Sequence, residues 1–173
     1  MSKLYELFET IHGFHSRYPV DVFGLVRALG IDLVEKSLSA SEAGTIEPIA
    51  HDRYRFVINA DHHSTRRRFT AAHQLGHYVF HRNLIGAGVC DDLAYRNAPD
   101  GPHFNAAIGL RQETDANRFA TTLLMPPMLL DARKAELIDE GPHRTMDEIA
   151  ERMACDFQVT TNAMRIRLGL PAV

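Results

Sequence analysis

Two histidines four residues apart, His73 and His77, lie in a stretch whose apolar periodicity predicts a helix from about Thr65 to Arg82, with Ser64 able to cap it. At 3.6 residues per turn the two stand about 40° apart around the axis, so both rings can aim a nitrogen at one point. That is the spacing a divalent metal needs, and a catalytic zinc site takes three protein ligands plus water. A third ligand is therefore owed. The plainer reading, two histidines on a helix surface or in a polar core, stays open on spacing alone. The chain holds ten histidines. His81 is one candidate for the third ligand, yet it lies about 80° round and roughly two turns beyond His73, which makes three-point convergence awkward.

Around this helix the pattern is mixed. Residues 3 to 15 carry Leu4, Leu7, Phe8, Ile11 and Phe14 at helical spacing, and the stretch from Pro19 to Leu29 does the same before Gly30, a residue suited to ending a helix. The period then changes to two, predicting strands at 31–35, 44–50 and 53–59 in a small sheet, antiparallel in part. Residues 83 to 108 lack sustained periodicity and read as a long surface loop with at most short helical pieces. Helices are expected at 110–124, 128–139, 146–156 and 161–168. No repeat or linker divides the chain. The expectation is one domain over residues 1–173, with a core at about 20–130 and a helical tail at about 140–173.

Charge and composition exclude some classes. A formal net charge of −3 supplies no broad positive field, so direct nucleic-acid binding through phosphate neutralisation is not expected. The run Arg66-Arg67-Arg68 reads as solvated or salt-bridged positions. The tail has helix-turn-helix spacing, but Asp147, Glu148, Glu151 and Asp156 and the lack of a Lys/Arg-dense face favour a structural role. No stretch approaches the roughly 18 to 20 apolar residues of a membrane span. The amino terminus has no secretory pattern, and two cysteines, Cys90 and Cys155, make no disulfide scaffold, so a cytoplasmic location is expected.

Two longer segments carry a resemblance. Residues 66–81, RRRFTAAHQLGHYVFH, look like the active-site helix of the ImmA/IrrE family of metallo-endopeptidases. Residues 113–126, ETDANRFATTLLMP, resemble that family's Glu-x-x-Ala-Asn-x-Phe-Ala-x-x-Leu-Leu-Met-Pro segment, in the same order along the chain. The resemblance implies an α+β, zincin-like metallopeptidase domain: a small twisted sheet, the metal helix packed on it, the second motif's helix crossing behind, and a helical carboxyl-terminal part. It implies one Zn2+ per chain, held by His73, His77 and Glu113. Glu113 and Asn117 lie four apart and can share a helix face, with Ala116 and Ala120 allowing close packing. Asn117 is then either a partner that steadies a ligand histidine or a helix packing contact. His81 is left with a supporting role, an oxyanion role or core packing.

The family pattern reads His-Glu-x-x-His, and here Gln74 stands at the general-base position. An amide keeps the shape and hydrogen bonds of a carboxyl group but has no usable basicity at neutral pH. Three explanations compete: an engineered Glu→Gln change, which the intact surroundings favour, an inherited pseudopeptidase that binds without cutting, or residual hydrolysis through another base. The function implied by the resemblance is cleavage of a helix-turn-helix transcriptional repressor or antitoxin, silenced in this chain by Gln74, with derepression as the outcome. The alternative is a non-catalytic repressor-binding module. Residues 53–59 are the expected edge strand for an extended substrate, with Phe56, Val57, Ile58 and Asn59 along it. Tyr95, His103 and His81 are candidate oxyanion donors. Oligomeric state, cleavage sequence and activating trigger are not legible in the sequence.

Overall fold

A computed structural model describes residues 3–92, 105, 107–141 and 143–172. The described chain runs α1 (Lys3–Gly13), a short 3-10 turn (Phe14–Ser16), α2 (Val22–Ala28), β1 (Asp32–Lys36), β2 (Glu42–Ala50), β3 (Arg53–Asn59), α3 (Ser64–Phe80), a second 3-10 turn (Arg82–Leu84), β4 (Val89–Asp92), α4 (Leu110–Leu124), α5 (Pro127–Glu140), α6 (Met146–Phe157) and α7 (Thr161–Arg167). It is an α+β fold. By packing, the chain separates into two compact units, Val22–Ala120 on one hand and Met1–Asp21 with Thr121–Val173 on the other.

The Val22–Ala120 unit is built on a four-stranded mixed sheet in the order β1-β3-β2-β4. β1 runs parallel to β3, while β2 runs antiparallel to both β3 and β4. α2 ends where the sequence predicts: Gly30 takes φ +74 and the Ile31 amide returns to the Val26 carbonyl, closing the helix in a left-handed turn that glycine adopts without strain. α3 begins at Ser64 rather than using it as a cap. The His63 ring does that work, its Nδ1 accepting from the Thr65 amide at 3.3 Å. α3 packs on α2 and on strands β2 and β3. Buried Leu25, Val26, Ile46, Phe56, Ile58, Ala71, Ala72 and Leu75 supply the apolar interior of these elements.

Two expectations fail here. Within the segment read as a loop, Val89–Asp92 forms β4 on β2. The expectation that Phe56, Val57, Ile58 and Asn59 line an edge strand is overturned, because β3 is hydrogen-bonded to β1 on one side and β2 on the other. Its main-chain groups are committed to the sheet, and all four residues are buried.

Asn59 has a structural task instead. Its Oδ1 accepts from the amides of Leu38 at 3.3 Å and Asp61 at 3.1 Å, and its Nδ2 donates to the carbonyls of Ser39 at 2.9 Å and Glu42 at 2.8 Å. One side chain thus satisfies four main-chain groups in two connections that flank the sheet. Asn59→Ala is expected to cost about 2 to 4 kcal/mol, since orphaned buried polar groups cost about 1 to 3 kcal/mol each and water relieves some of them. Urea unfolding measures this; a loss below about 0.5 kcal/mol, the range of ordinary surface changes, would contradict the assignment.

The other unit centres on α5, α6 and α7, where Leu130, Leu137, Ile149, Met153, Phe157 and Met164 form a buried cluster. Tyr18 stacks on Phe157 with ring centroids 4.6 Å apart. A capping box, Thr145 with Glu148, starts α6. The arginines of α7 are used internally: Arg165 pairs with Asp147, and Arg167 donates to the Met125 carbonyl. Among the described residues, no helix is long and apolar enough to cross a membrane.

Candidate metal centre

His73, His77 and Glu113 come together inside the Val22–Ala120 unit, with candidate ligand atoms all within 4.8 Å of one another. α3 presents the two rings from successive turns, and the first turn of α4 brings the carboxylate across to them. His73 Nε2 lies 3.1 Å from His77 Nε2 and 3.3 Å from Glu113 Oε2, while His77 Nε2 lies 3.6 Å from Glu113 Oε1. For ligand bonds of about 2.0 to 2.1 Å, two corners of a tetrahedral centre stand about 3.3 Å apart; the two histidines stand near that separation from each other, and each stands near it from a different oxygen of the Glu113 carboxylate. All three residues are buried, Glu113 at 8% exposure. Two imidazole nitrogens and a carboxylate converging in a place of low solvent access form a donor set suited to one divalent metal ion.

The helix crossing that creates this cluster depends on small residues. A Cβ added to Gly76 would lie 2.9 Å from Ala116 Cα and 3.1 Å from its carbonyl oxygen. α3 and α4 therefore meet backbone to side-chain stub, which is how Glu113, one turn before Ala116, reaches His73 and His77. Ala116 is legible in the sequence as a small packing residue, and Gly76 is not. A mid-helix glycine reads locally only as a weak point, and its reason lies forty residues away on α4.

Around the cluster, Asn117 Oδ1 lies 2.9 Å from His73 Nδ1. An amide oxygen can only accept, so His73 carries its proton on Nδ1 and leaves Nε2 with a lone pair toward Glu113 and His77. His81, at the end of α3, places Nδ1 3.2 Å from His77 Nδ1 and Nε2 4.0 Å from Asp115 Oδ2. Burial, with His77 next, lowers the basicity of the His81 ring below the ordinary imidazole value.

Gln74 is completely buried between the sheet and the cluster's helix. Its Nε2 donates to the Gly44 carbonyl on β2 at 3.4 Å, a long contact, and its Oε1 has no hydrogen-bond partner among the described residues. The side chain therefore offers an acceptor and nothing basic. The arginine run makes no basic patch: Arg67 pairs with Glu35, and Arg68 is buried. Tyr95 and His103 lie outside the described residues.

A profile described as the IrrE N-terminal-like domain of the M78 peptidases matches residues 26–169, most of the chain. The chain belongs to the M78 peptidase family. Its fold is accordingly of the ImmA/IrrE metallopeptidase type, and the buried His73, His77 and Glu113 cluster lies within the matched residues. Among solved structures it is similar to a Mycobacterium tuberculosis transcriptional regulator, with a TM-score of 0.59 at 18% sequence identity. That likeness covers 96% of this chain and 46% of the regulator, so the chain spans about half of that protein's length. Comparison with curated proteins returns no significant match.

Proposed function

We propose that this chain is a zinc metallo-endopeptidase domain whose substrate is a helix-turn-helix transcriptional repressor or antitoxin, and that Gln74 silences its hydrolytic step. The observation that carries the reading is the buried convergence of His73, His77 and Glu113, whose candidate ligand atoms lie within 4.8 Å of one another. Membership of the M78 family supports peptide hydrolysis as the chemistry. Zinc in such a site acidifies water and polarises a peptide carbonyl. The chain's own contribution is to hold His73 and His77 as neutral donors, to keep the site dry, and to present residue 74 where a base is required.

Gln74 stands at the general-base position of the His-Glu-x-x-His pattern. Its Oε1 can accept a proton-bearing partner but cannot take the proton, so attack on a carbonyl lacks its base and the departing amine lacks its acid. Substrate binding and turnover are thereby separated in one residue. A cytoplasmic setting follows from the repressor substrate.

The test is to incubate the zinc-loaded Gln74→Glu protein with the repressor encoded beside it and to map any cut by mass spectrometry. Cleavage at one or a few sites, absent in the unaltered chain, is expected. A second reading is supported by the same buried amide: the chain binds its repressor without cutting, and residue 74 is indifferent. Equal binding by both forms with no cutting by either would favour that reading over hydrolysis.

A further inference from the structure

The rings of His77 and His81 face each other through like atoms, Nδ1 to Nδ1 at 3.2 Å. A hydrogen bond across that gap requires one donor and one acceptor. His77 turns its other nitrogen, Nε2, toward His73 and Glu113. For Nε2 to offer a lone pair from a neutral ring, the His77 proton must sit on Nδ1. His81 Nδ1 must then be the acceptor, and the His81 proton sits on Nε2, the atom that points toward Asp115.

We infer that His81 is the positioning residue of the metal centre, its Nδ1 accepting from His77 Nδ1–H so that His77 is locked in the tautomer that can ligate. This rests on the metal-centre reading above. Asn117 performs the equivalent task for His73 with an amide oxygen, so each ligand histidine is fixed by a different group, one on α4 and one at the carboxyl-terminal cap of α3. The helix geometry makes the second arrangement natural. His81 follows His77 by four residues, as His77 follows His73, so the three rings line up along one face with centroids 4.8 and 5.3 Å apart, the first pair edge-on and the second tilted. The position that makes His81 a poor third ligand makes it a good partner to the second. It is 6% exposed, so water does not readily substitute for it as the acceptor.

Two variants and the unaltered full chain test this by competitive zinc titration against a chromophoric chelator, alongside thermal melts of the metal-free proteins. His81→Leu, which keeps bulk and removes the acceptor, is expected to weaken zinc binding about 10- to 100-fold, the usual effect of removing such a partner. His81→Asn, whose Oδ1 can stand in for the ring Nδ1, is expected to restore binding to within about threefold, because the acceptor and not the ring is what matters. In the unaltered zinc-loaded protein, nitrogen-15 NMR should show a through-hydrogen-bond coupling between the two Nδ1 atoms. Undiminished zinc affinity in His81→Leu, or an Asn variant as weak as the Leu one, would overturn the proposal while leaving the metal centre standing. Failure of the unaltered chain to bind zinc at all would overturn both. Should His81→Leu prove unfolded when metal-free, the coupling decides alone: its presence supports the assignment and its absence refutes it.

Discussion

Replacing Gln74 by glutamate is expected to raise peptide hydrolysis by about 10² to 10⁴-fold over the unaltered chain at equal zinc occupancy, the range that a positioned general base contributes. Gln74 lies within α3, the helix that carries His73 and His77, fully buried and with its Nε2 held to the Gly44 carbonyl. A carboxylate there keeps the same shape and loses only that long contact. Burial raises its proton affinity from the ordinary carboxyl range toward neutrality, which suits a base, while the charge of a nearby divalent ion opposes the rise. The same substitution is expected to make the metal-free protein less stable, because an ionisable group without a partner is being buried, and zinc is expected to recover the loss. Single-turnover cleavage and metal-free melts measure the two effects. Equal inertness of both forms on a bound repressor would contradict the hydrolytic reading.

Gly76→Ala is expected to separate stability from metal binding. A methyl group at 76 meets the Ala116 backbone, 2.9 Å from Cα, and backbone cannot move aside as a flexible side chain can. Overpacking of this kind costs about 1 to 3 kcal/mol, while alanine in place of a helical glycine returns about 1 kcal/mol of propensity. The metal-free protein should therefore lose no more than about 2 kcal/mol by that balance. Zinc affinity should fall further, at least a hundredfold, as a change of about 1.4 kcal/mol is a factor of ten. Pushing α4 away carries Glu113 from separations of 3.3 and 3.6 Å that leave no slack for a ligand bond. Gly76→Val, with two more methyl groups in the same gap, should abolish zinc retention. Unaltered zinc affinity in the alanine variant would show that the helix crossing is not what sets the site.

The parts of this account that were legible in the sequence are those set by local spacing. His73 and His77 announce themselves because a four-residue interval on a helix is a geometric statement in itself. Glu113 is forty residues from His73 and was reachable only through its resemblance to a known motif. β3 was found with its bounds, yet its place in the sheet was misjudged, since strand order depends on β1 returning in parallel to its far side, and no periodicity within residues 53–59 carries that information. β4 escaped because Val89-Cys90-Asp91-Asp92 is too short to show alternation; its pairing with β2 defines it. Asn59 was read as a substrate-strand or turn residue, as an asparagine at a strand end usually is. Only the positions of the Leu38 and Asp61 amides and the Ser39 and Glu42 carbonyls reveal a side chain that organises two connections.

The most direct measurement is the zinc content of the purified chain after equilibration with zinc and removal of excess, by mass spectrometry of the acid-digested protein. About one zinc per chain is expected, as for a single site with three protein ligands, and His73→Ala and Glu113→Ala should each lose it while remaining folded. No retained zinc in the unaltered chain, or zinc retained equally in both variants, would contradict a metal centre built from His73, His77 and Glu113.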